Sequence, residues 1–309
     1  MSSAQLMSTE PEHTNPPRRG LRKGVYLIPS LFTAANILMG FFAVMASLRG
    51  FQLLAGPVVN ISGAAEHFDH AAMAIGFAVL FDILDGRIAR MTKTTTEIGI
   101  QLDSIADVVT FGLAPAVLAY VWGYGASLVE GTNLHRFAWF ISFLYLMCGA
   151  FRLARFNVQA SRPRILAAGT VKVDKKYFVG LPIPAAGGLI AALVHFTPPP
   201  LIAYGPEKAK IYSSLLMLLV GFLSVMMVST WRFSSFKTVG TSSRSMRTVI
   251  LALSIVMLIF LYSQYVLLGI VVTYILYGLL SRVFSALWRR GENAEGKVET
   301  TPASSPTSH

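Results

Sequence analysis

The chain has 309 residues, of which 54% are hydrophobic and only 13% are charged, and its formal net charge at pH 7 is +11. Soluble domains carry about 25% charged residues, so this composition argues against a soluble globular protein and predicts a protein of the lipid bilayer. Its single cysteine, Cys148, excludes an internal disulfide.

Apolar stretches of membrane-spanning length recur along the chain. A helix needs about 20 residues to cross a hydrocarbon core roughly 30 Å thick. We therefore predict an all-α fold, a polytopic membrane helical bundle of about eight transmembrane helices. The expected spans, of which the fifth and seventh are the shortest, lie near residues 28–48, 71–91, 104–124, 137–156, 182–197, 211–230, 249–262 and 265–284.

Both ends of the chain lack apolar periodicity and are rich in Ser, Thr, Pro and Glu, which is typical of disordered segments. We expect a disordered or interfacial cytoplasmic tail at 1–24, a membrane core at 25–235, additional C-terminal spans at 236–290 and a disordered cytoplasmic tail at 291–309.

The basic residues are distributed unequally between the two sides of the predicted bundle. With the N-terminus inside and the spans alternating, 22 of the 26 Lys and Arg residues fall on the cytoplasmic side. This positive-inside pattern predicts a multi-pass protein of the cytoplasmic (inner) membrane with both termini in the cytoplasm. It also explains the net charge without a nucleic acid partner. The four basic residues on the other side are Arg49, Arg136, Lys208 and Lys210.

Two polar residues, Thr33 and Asn36, interrupt the first apolar span. They can line a binding site or bridge two helices, and the sequence favours neither. The segment 66–70, with the sequence Glu-His-Phe-Asp-His, precedes the second predicted span on the opposite side of the membrane. We interpret it as a polar interfacial loop rather than as a metal site.

Four aspartates form two pairs on neighbouring spans. Asp82 and Asp85 are three residues apart, and Asp103 and Asp107 are four apart, so each pair shares one helical face. A short turn around 92–98 would bring the two faces together. Four carboxylates at a bilayer interface repel one another and require a cation between them.

The ligand atoms indicate which cation this is. Oxygen ligands without nearby cysteine or histidine favour a hard cation, Mg²⁺ or Mn²⁺, and such ions commonly serve phosphoryl transfer. The small residues Gly86, Ala89 and Gly99 leave room for close approach of a helix or ligand. The alternative, an ordinary ion network of the aspartates with Arg87 and Arg90, fits the spacing poorly.

The aspartates belong to a longer pattern that resembles the signature of the CDP-alcohol phosphatidyltransferase family. That pattern comprises Asp82, Asp85, Gly86, Ala89, Arg90, Gly99, Asp103 and Asp107. The resemblance implies a membrane-embedded, dimeric enzyme with a six-helix core that displaces CMP from a CDP-linked donor with an alcohol. It further implies that Asp107 is the general base, that the four aspartates bind metal, and that Arg90 and the small residues contact the donor.

Further segments resemble the bacterial members of this family that use L-serine, namely residues 28–36, 111–116, 148–157 and 180–186. By this resemblance the donor is CDP-diacylglycerol, the acceptor is L-serine, and the products are phosphatidylserine and CMP. Thr33 and Asn36 then become candidates for donor contacts. Arg152, Arg155 and Asn157 become candidates for serine binding, although they can also be positively charged anchors at the end of a span.

Two other function classes fit the sequence less well. A transporter would carry ionisable residues near mid-membrane on several spans, whereas here they lie at one side of two spans. A non-catalytic scaffold has no need of four aspartates. Among enzymes, a sister transferase using glycerol 3-phosphate, inositol phosphate or choline remains open, because the signature serves the donor that these enzymes share.

Overall fold

The structure is a computed structural model, and it describes residues 19–92, 97–161, 177–229, 232–234, 263–278 and 280. Side chains are described for residues 31–86, 98–158, 180–229, 263–278 and 280. The α-helices are α1 (Arg19–Ala55), α2 (Ile61–Thr92), α3 (Glu97–Asp107), α4 (Ala114–Leu118), α5 (Asn133–Ser161), α6 (Ile183–Phe196), α7 (Pro206–Val228) and α8 (Ser263–Gly278).

Within the described residues, five helical segments are long and apolar enough to cross a bilayer: Leu31–Ala55, Ile61–Gly86, Ile98–Tyr124, Asn133–Val158 and Pro206–Val228. The shorter apolar helices α6 and α8 correspond to the predicted spans 182–197 and 265–284. The predicted span 249–262 lies outside the described residues. The polytopic helical bundle predicted from the sequence is confirmed, whereas the number of eight spans stays a prediction.

The bundle exposes large apolar side chains on its outer surface, as a lipid-facing protein must. Leu31, Leu218 and Trp139 are each more than 60% exposed. The interior is built largely from alanine, glycine and a few large side chains, including Phe68, Tyr124 and Tyr145. Small residues at helix interfaces let the backbones pack closely. This matters in a membrane, where van der Waals contacts rather than the hydrophobic effect hold helices together.

Helices α1 and α2 form a hairpin whose turn is closed by Asn60. The Asn60 backbone N–H donates to the Leu53 carbonyl at 3.0 Å, and its side-chain Oδ1 accepts from the Gly63 N–H at 2.9 Å, which caps the first turn of α2. Because α2 begins at Ile61, residues 66–70 are helical. Their interpretation as an interfacial loop was wrong. The Asn60 side chain caps the helix at a point before the apolar pattern begins, so α2 starts earlier than that pattern predicts.

The third spanning segment alternates between α-helix and π-helix. After α3 the chain is π-helical over Val108–Leu113, α-helical over α4, and π-helical again over Ala119–Tyr124. The Tyr145 hydroxyl of α5 donates to the Phe111 carbonyl at 3.1 Å within the first π-helical stretch. The wider π turn therefore starts directly after Asp107, a placement often associated with functional sites.

A tight corner joins the ends of α5 and α7 to the start of α6. Gly180 has a φ of 82°, and a Cβ at this position would lie 2.4 Å from the Met227 carbonyl oxygen, so glycine is required here. The Leu181 N–H donates to the Met226 carbonyl at 3.1 Å. Beside this corner lies a short antiparallel pair of strands, β1 (Tyr177–Val179) with β2 (Arg232–Ser234). No strand was expected from the apolar pattern of the sequence.

Candidate active site

The two aspartate pairs converge between α2 and α3, as their spacing predicts. Asp82, Asp103 and Asp107 each present a carboxylate oxygen within 4.8 Å of the other two. The three side chains are partly or fully buried, and Asp107 is only 8% exposed. No salt bridge within 4.0 Å joins any of the four aspartates to a basic side chain within the described part of the chain. The cluster is thus a concentration of negative charge.

This cluster fits a divalent cation. The Asp107 Oδ1 atom is buried and has no hydrogen-bond partner among the described residues, so it is available to a ligand. Carboxylate oxygens alone are the ligand set preferred by Mg²⁺ and by Mn²⁺, and a cation between them removes the repulsion. The cluster therefore has the composition and spacing of a metal-binding site.

Asp85 lies beside the other three aspartates and is held from a different helix. The Thr33 hydroxyl of α1 donates to Asp85 Oδ2, and Asp85 is close enough to Asp82 and Asp103 to repel them electrostatically. Of the two interpretations of Thr33, the structure supports a place at the site. The first span thus contributes directly to the geometry of the cluster.

Asn36 lies one turn after Thr33 on α1. Its side chain is 2% exposed, and its Oδ1 atom has no hydrogen-bond partner among the described residues. Its backbone carbonyl accepts a hydrogen bond of 2.9 Å from the Thr110 hydroxyl, three residues beyond Asp107. Asn36 is therefore adjacent to the segment that carries the aspartates.

The residues predicted to bind serine separate into two groups. Arg152 of α5 is buried, lies within electrostatic range of Asp107, and has an Nε atom without a hydrogen-bond partner in the described region. Arg155 instead donates to the Val228 carbonyl at 3.1 Å and to the Ser229 carbonyl at 3.5 Å, at the end of α7. Asn157 donates to the Ser104 hydroxyl at 2.8 Å. Of the three, only Arg152 has a buried polar atom without a hydrogen-bond partner among the described residues.

Four further predicted residues lie toward the end of α2 and the start of α3. Gly86 directly follows Asp85, and Gly99 lies in the first turns of α3, and both are half-buried. Ala89 and Arg90 belong to α2, but their side chains lie outside the described residues. The side chain of Arg87 also lies outside the described residues, so the alternative of an ion network between the aspartates and Arg87 and Arg90 stays untested.

Sequence reasoning missed a second polar group, at the other end of α2. His195 of α6 contacts Asp69 Oδ1 through Nδ1 at 2.5 Å and Ser263 Oγ through Nε2 at 2.9 Å. Asp69 is 13 residues before Asp82, which places the two polar groups about 20 Å apart along the helix. No motif marks this chain of contacts, because its three members come from distant parts of the sequence.

A helical membrane bundle with an acidic, metal-compatible cluster at one end defines the class of protein to which this chain belongs. Comparison with known proteins specifies the class further. Residues 26–206 match the CDP-alcohol phosphatidyltransferase family, and the chain is a member of that family.

Several relatives of this chain share one enzyme name. The chain is 31% identical over 260 residues to a CDP-diacylglycerol–serine O-phosphatidyltransferase of Helicobacter pylori, which covers 84% of this chain and 92% of that protein. An enzyme of the same name from Saccharomyces cerevisiae is 31% identical over 60% of this chain and 58% of its own length. One from Methanocaldococcus jannaschii is 30% identical over 65% of this chain and 72% of its own length. The resemblance inferred from the sequence is confirmed.

Proposed function

We propose that this chain transfers the phosphatidyl group of CDP-diacylglycerol to the hydroxyl of L-serine, forming phosphatidylserine and CMP. The observation that carries the proposal is the group formed by Asp82, Asp103 and Asp107, whose oxygens lie within 4.8 Å of one another in a member of this family. The serine-specific names of several relatives support the choice of acceptor.

The aspartates prepare the site for a charged donor. Asp82, Asp85, Asp103 and Asp107 would hold Mg²⁺ or Mn²⁺, which when bound supplies positive charge to offset the donor diphosphate and the departing CMP oxygen. Thr33 fixes the orientation of the Asp85 carboxylate. Gly86, Ala89, Arg90 and Gly99 then form the donor-binding face, where the small residues admit the nucleotide closely.

Asp107 is positioned to be the general base. Its Oδ1 atom is buried and unpartnered, so it can accept the proton of the serine hydroxyl. The serine oxygen then forms a bond to the lipid-bearing phosphorus, and the bond from that phosphorus to the CMP oxygen breaks. CMP leaves with the bonding electrons, and the proton remains on Asp107 until it passes to solvent.

Arg152 is the candidate for the serine carboxylate. A carboxylate entering an aspartate cluster needs a nearby cation, and the planar guanidinium can bond both of its oxygens. Arg152 is the buried arginine that interacts with Asp107. Arg155 and Asn157 support the site indirectly through α7 and Ser104.

We place the protein in the cytoplasmic (inner) membrane, as a homodimer with both termini and the aspartate cluster on the cytoplasmic side. The distribution of basic residues supports this orientation. Cysteine labelling of the two tails in intact and permeabilised cells tests it, and labelling of either tail from outside would contradict it.

Purified protein offered CDP-diacylglycerol with each radiolabelled alcohol in turn tests the reaction. We expect label to enter lipid with L-serine, together with stoichiometric release of CMP. Incorporation of glycerol 3-phosphate, inositol phosphate or choline in preference to serine would instead identify a sister transferase.

A further inference from the structure

Three buried side-chain atoms have no hydrogen-bond partner among the described residues, one on an aspartate of the cluster and the other two on α1 and α5. They are Asn36 Oδ1, Asp107 Oδ1 and Arg152 Nε. A buried polar atom without a partner costs about 1–3 kcal/mol and is uncommon in native proteins. Such atoms in one region of the bundle therefore indicate a polar ligand that satisfies them.

Contacts through neighbouring residues place these atoms around Asp107. Asn36 is one turn from Thr33, which donates to Asp85, so this face of α1 is directed toward the cluster. The Thr110 hydroxyl ties the Asn36 backbone to the helix that continues from Asp107. On the other side, Arg152 interacts electrostatically with Asp107. Asn36 of α1 and Arg152 of α5 are thus both linked to the segment that carries Asp107, the first through Thr110 and the second electrostatically.

The chemistry of the three atoms is complementary to an amino acid with a hydroxyl group. The Arg152 nitrogen donates and suits a carboxylate, the Asp107 oxygen accepts and suits a hydroxyl, and the Asn36 oxygen accepts and suits an ammonium group. An acceptor alcohol that carries a phosphate would need another cation where Asn36 presents a neutral amide. Asn36 therefore favours an acceptor with an ammonium group.

We infer that Asn36 determines acceptor specificity by accepting a hydrogen bond from the ammonium group of L-serine, while Arg152 binds its carboxylate. This inference rests on the proposed function and reassigns Asn36 from the donor to the acceptor. It divides serine recognition between α1 and α5, with the base on the helix between them.

Two fragments of serine separate the roles. Ethanolamine lacks the carboxylate, and 3-hydroxypropionate lacks the ammonium group. Each is measured as a competitor of serine transfer by the full-length protein in detergent with Mg²⁺ and CDP-diacylglycerol. Asn36→Leu preserves the size of the side chain but removes its oxygen. We expect this variant to bind serine and ethanolamine at least tenfold more weakly, a loss of about 1.4 kcal/mol. The inhibition constant of 3-hydroxypropionate should not change.

Arg152→Lys should give the reverse pattern: serine and 3-hydroxypropionate should bind more weakly, and the binding of ethanolamine should not change. A second variant, Asn36→Asp, retains an accepting oxygen and adds negative charge, so ethanolamine should bind at least as well and 3-hydroxypropionate less well. Ser47→Ala is the matched control on α1, since the Ser47 hydroxyl bonds the Ala43 carbonyl within the helix, away from the site. The Michaelis constant for serine and the two inhibition constants of this control should equal those of the parent protein.

Asn36 variants that weaken all three ligands equally, or that raise only the Michaelis constant for CDP-diacylglycerol, would overturn the inference and return Asn36 to the donor site. An unchanged Michaelis constant for serine in both Asn36 variants would overturn the inference as well. The proposed function would still stand in that case, because the parent protein transfers serine. If the parent protein transfers no serine at all, the proposed function fails and the inference with it.

Discussion

Thr33 and Asp85 lie 52 positions apart in the sequence, yet the hydroxyl of the first donates directly to the carboxylate of the second. The bond crosses from α1 to α2 and fixes one of the four aspartates from outside their own motif. The first span is therefore part of the site, and the polar residues within it have a chemical reason to be there.

Removing this bond should impair the reaction without dismantling the bundle. Thr33→Val keeps the shape of the side chain but leaves the Asp85 carboxylate free to rotate, and a hydrogen bond to a charged group contributes about 1.5–3 kcal/mol. We expect kcat/KM to fall roughly tenfold to a hundredfold. Thr33→Ser, which keeps the hydroxyl, should retain most activity. Equal rates for the two variants would show that the bond has no part in the reaction.

Metal dependence follows from the mutual approach of Asp82, Asp103 and Asp107. A neutral amide is a weaker ligand than a carboxylate, so Asp82→Asn and Asp103→Asn should each lose most CMP release. A chelator should abolish turnover and Mg²⁺ or Mn²⁺ should restore it. Glu66→Gln, an exposed acid elsewhere on α2, serves as the control and should behave as the parent protein does. Full turnover in excess chelator would contradict the metal site.

Asp107 should differ from the other aspartates in its kinetic effect. As the base it accepts a proton, so Asp107→Asn should lower kcat by two or more orders of magnitude while changing donor affinity far less. The variants of Asp82 and Asp103 should impair both quantities. Single-turnover kinetics combined with equilibrium binding of a CDP-diacylglycerol analogue separates them. Lost donor binding with near-normal turnover at saturation would exclude Asp107 as the base.

Arg152 and Arg155 are three residues apart, but their contacts predict different phenotypes. Arg152→Lys keeps the charge and loses the planar fork, so the Michaelis constant for serine should rise several-fold while that for CDP-diacylglycerol changes little. Arg155→Lys breaks the contacts with the Val228 and Ser229 carbonyls. It should lower the melting temperature in detergent more than it changes the serine constant. The opposite pattern would exchange the two roles.

Close packing of α1 against the first π-helical stretch predicts a strong stability effect at Gly40. A Cβ at this position would lie 2.4 Å from Thr110 Oγ1 and 2.8 Å from Thr110 Cα. Gly40→Ala must therefore separate the helices, and overpacking of this kind costs about 1–3 kcal/mol. Gly76→Ala on α2 is the control, since a Cβ there meets no atom within 4 Å. Only the first variant should melt at a lower temperature, and equal melting would contradict the packing.

The sequence predicted the helical bundle and the aspartate cluster because both follow from local rules. Apolar length marks a span, and carboxylates at spacings of three and four share a helical face whatever lies around them. The convergence of Asp82 with Asp103 and Asp107 needed only one assumption, a short turn between two neighbouring helices.

The rest depended on contacts between distant segments, which leave no local pattern. Asn60 caps α2, which begins ten residues before the expected span, so residues 66–70 are helix rather than loop. The two interpretations of Thr33 and Asn36 could be separated only by seeing which helix faces α1. Arg155 carries the same charge as Arg152, and no spacing reveals that one contacts the carbonyls of α7 while the other faces Asp107.

The chain of contacts Asp69–His195–Ser263 bears on the order in which the protein is assembled. Its members are separated by 126 and 68 positions, so the link cannot close until the ribosome has produced residue 263 and α8 has taken its place. Chains are made from the N-terminus, and the earlier helices can pair before that moment. Until α8 arrives, His195 lacks its Ser263 partner. The last described helix therefore completes a polar network begun by the second, and a nascent chain ending before it would have one end of the bundle unfinished.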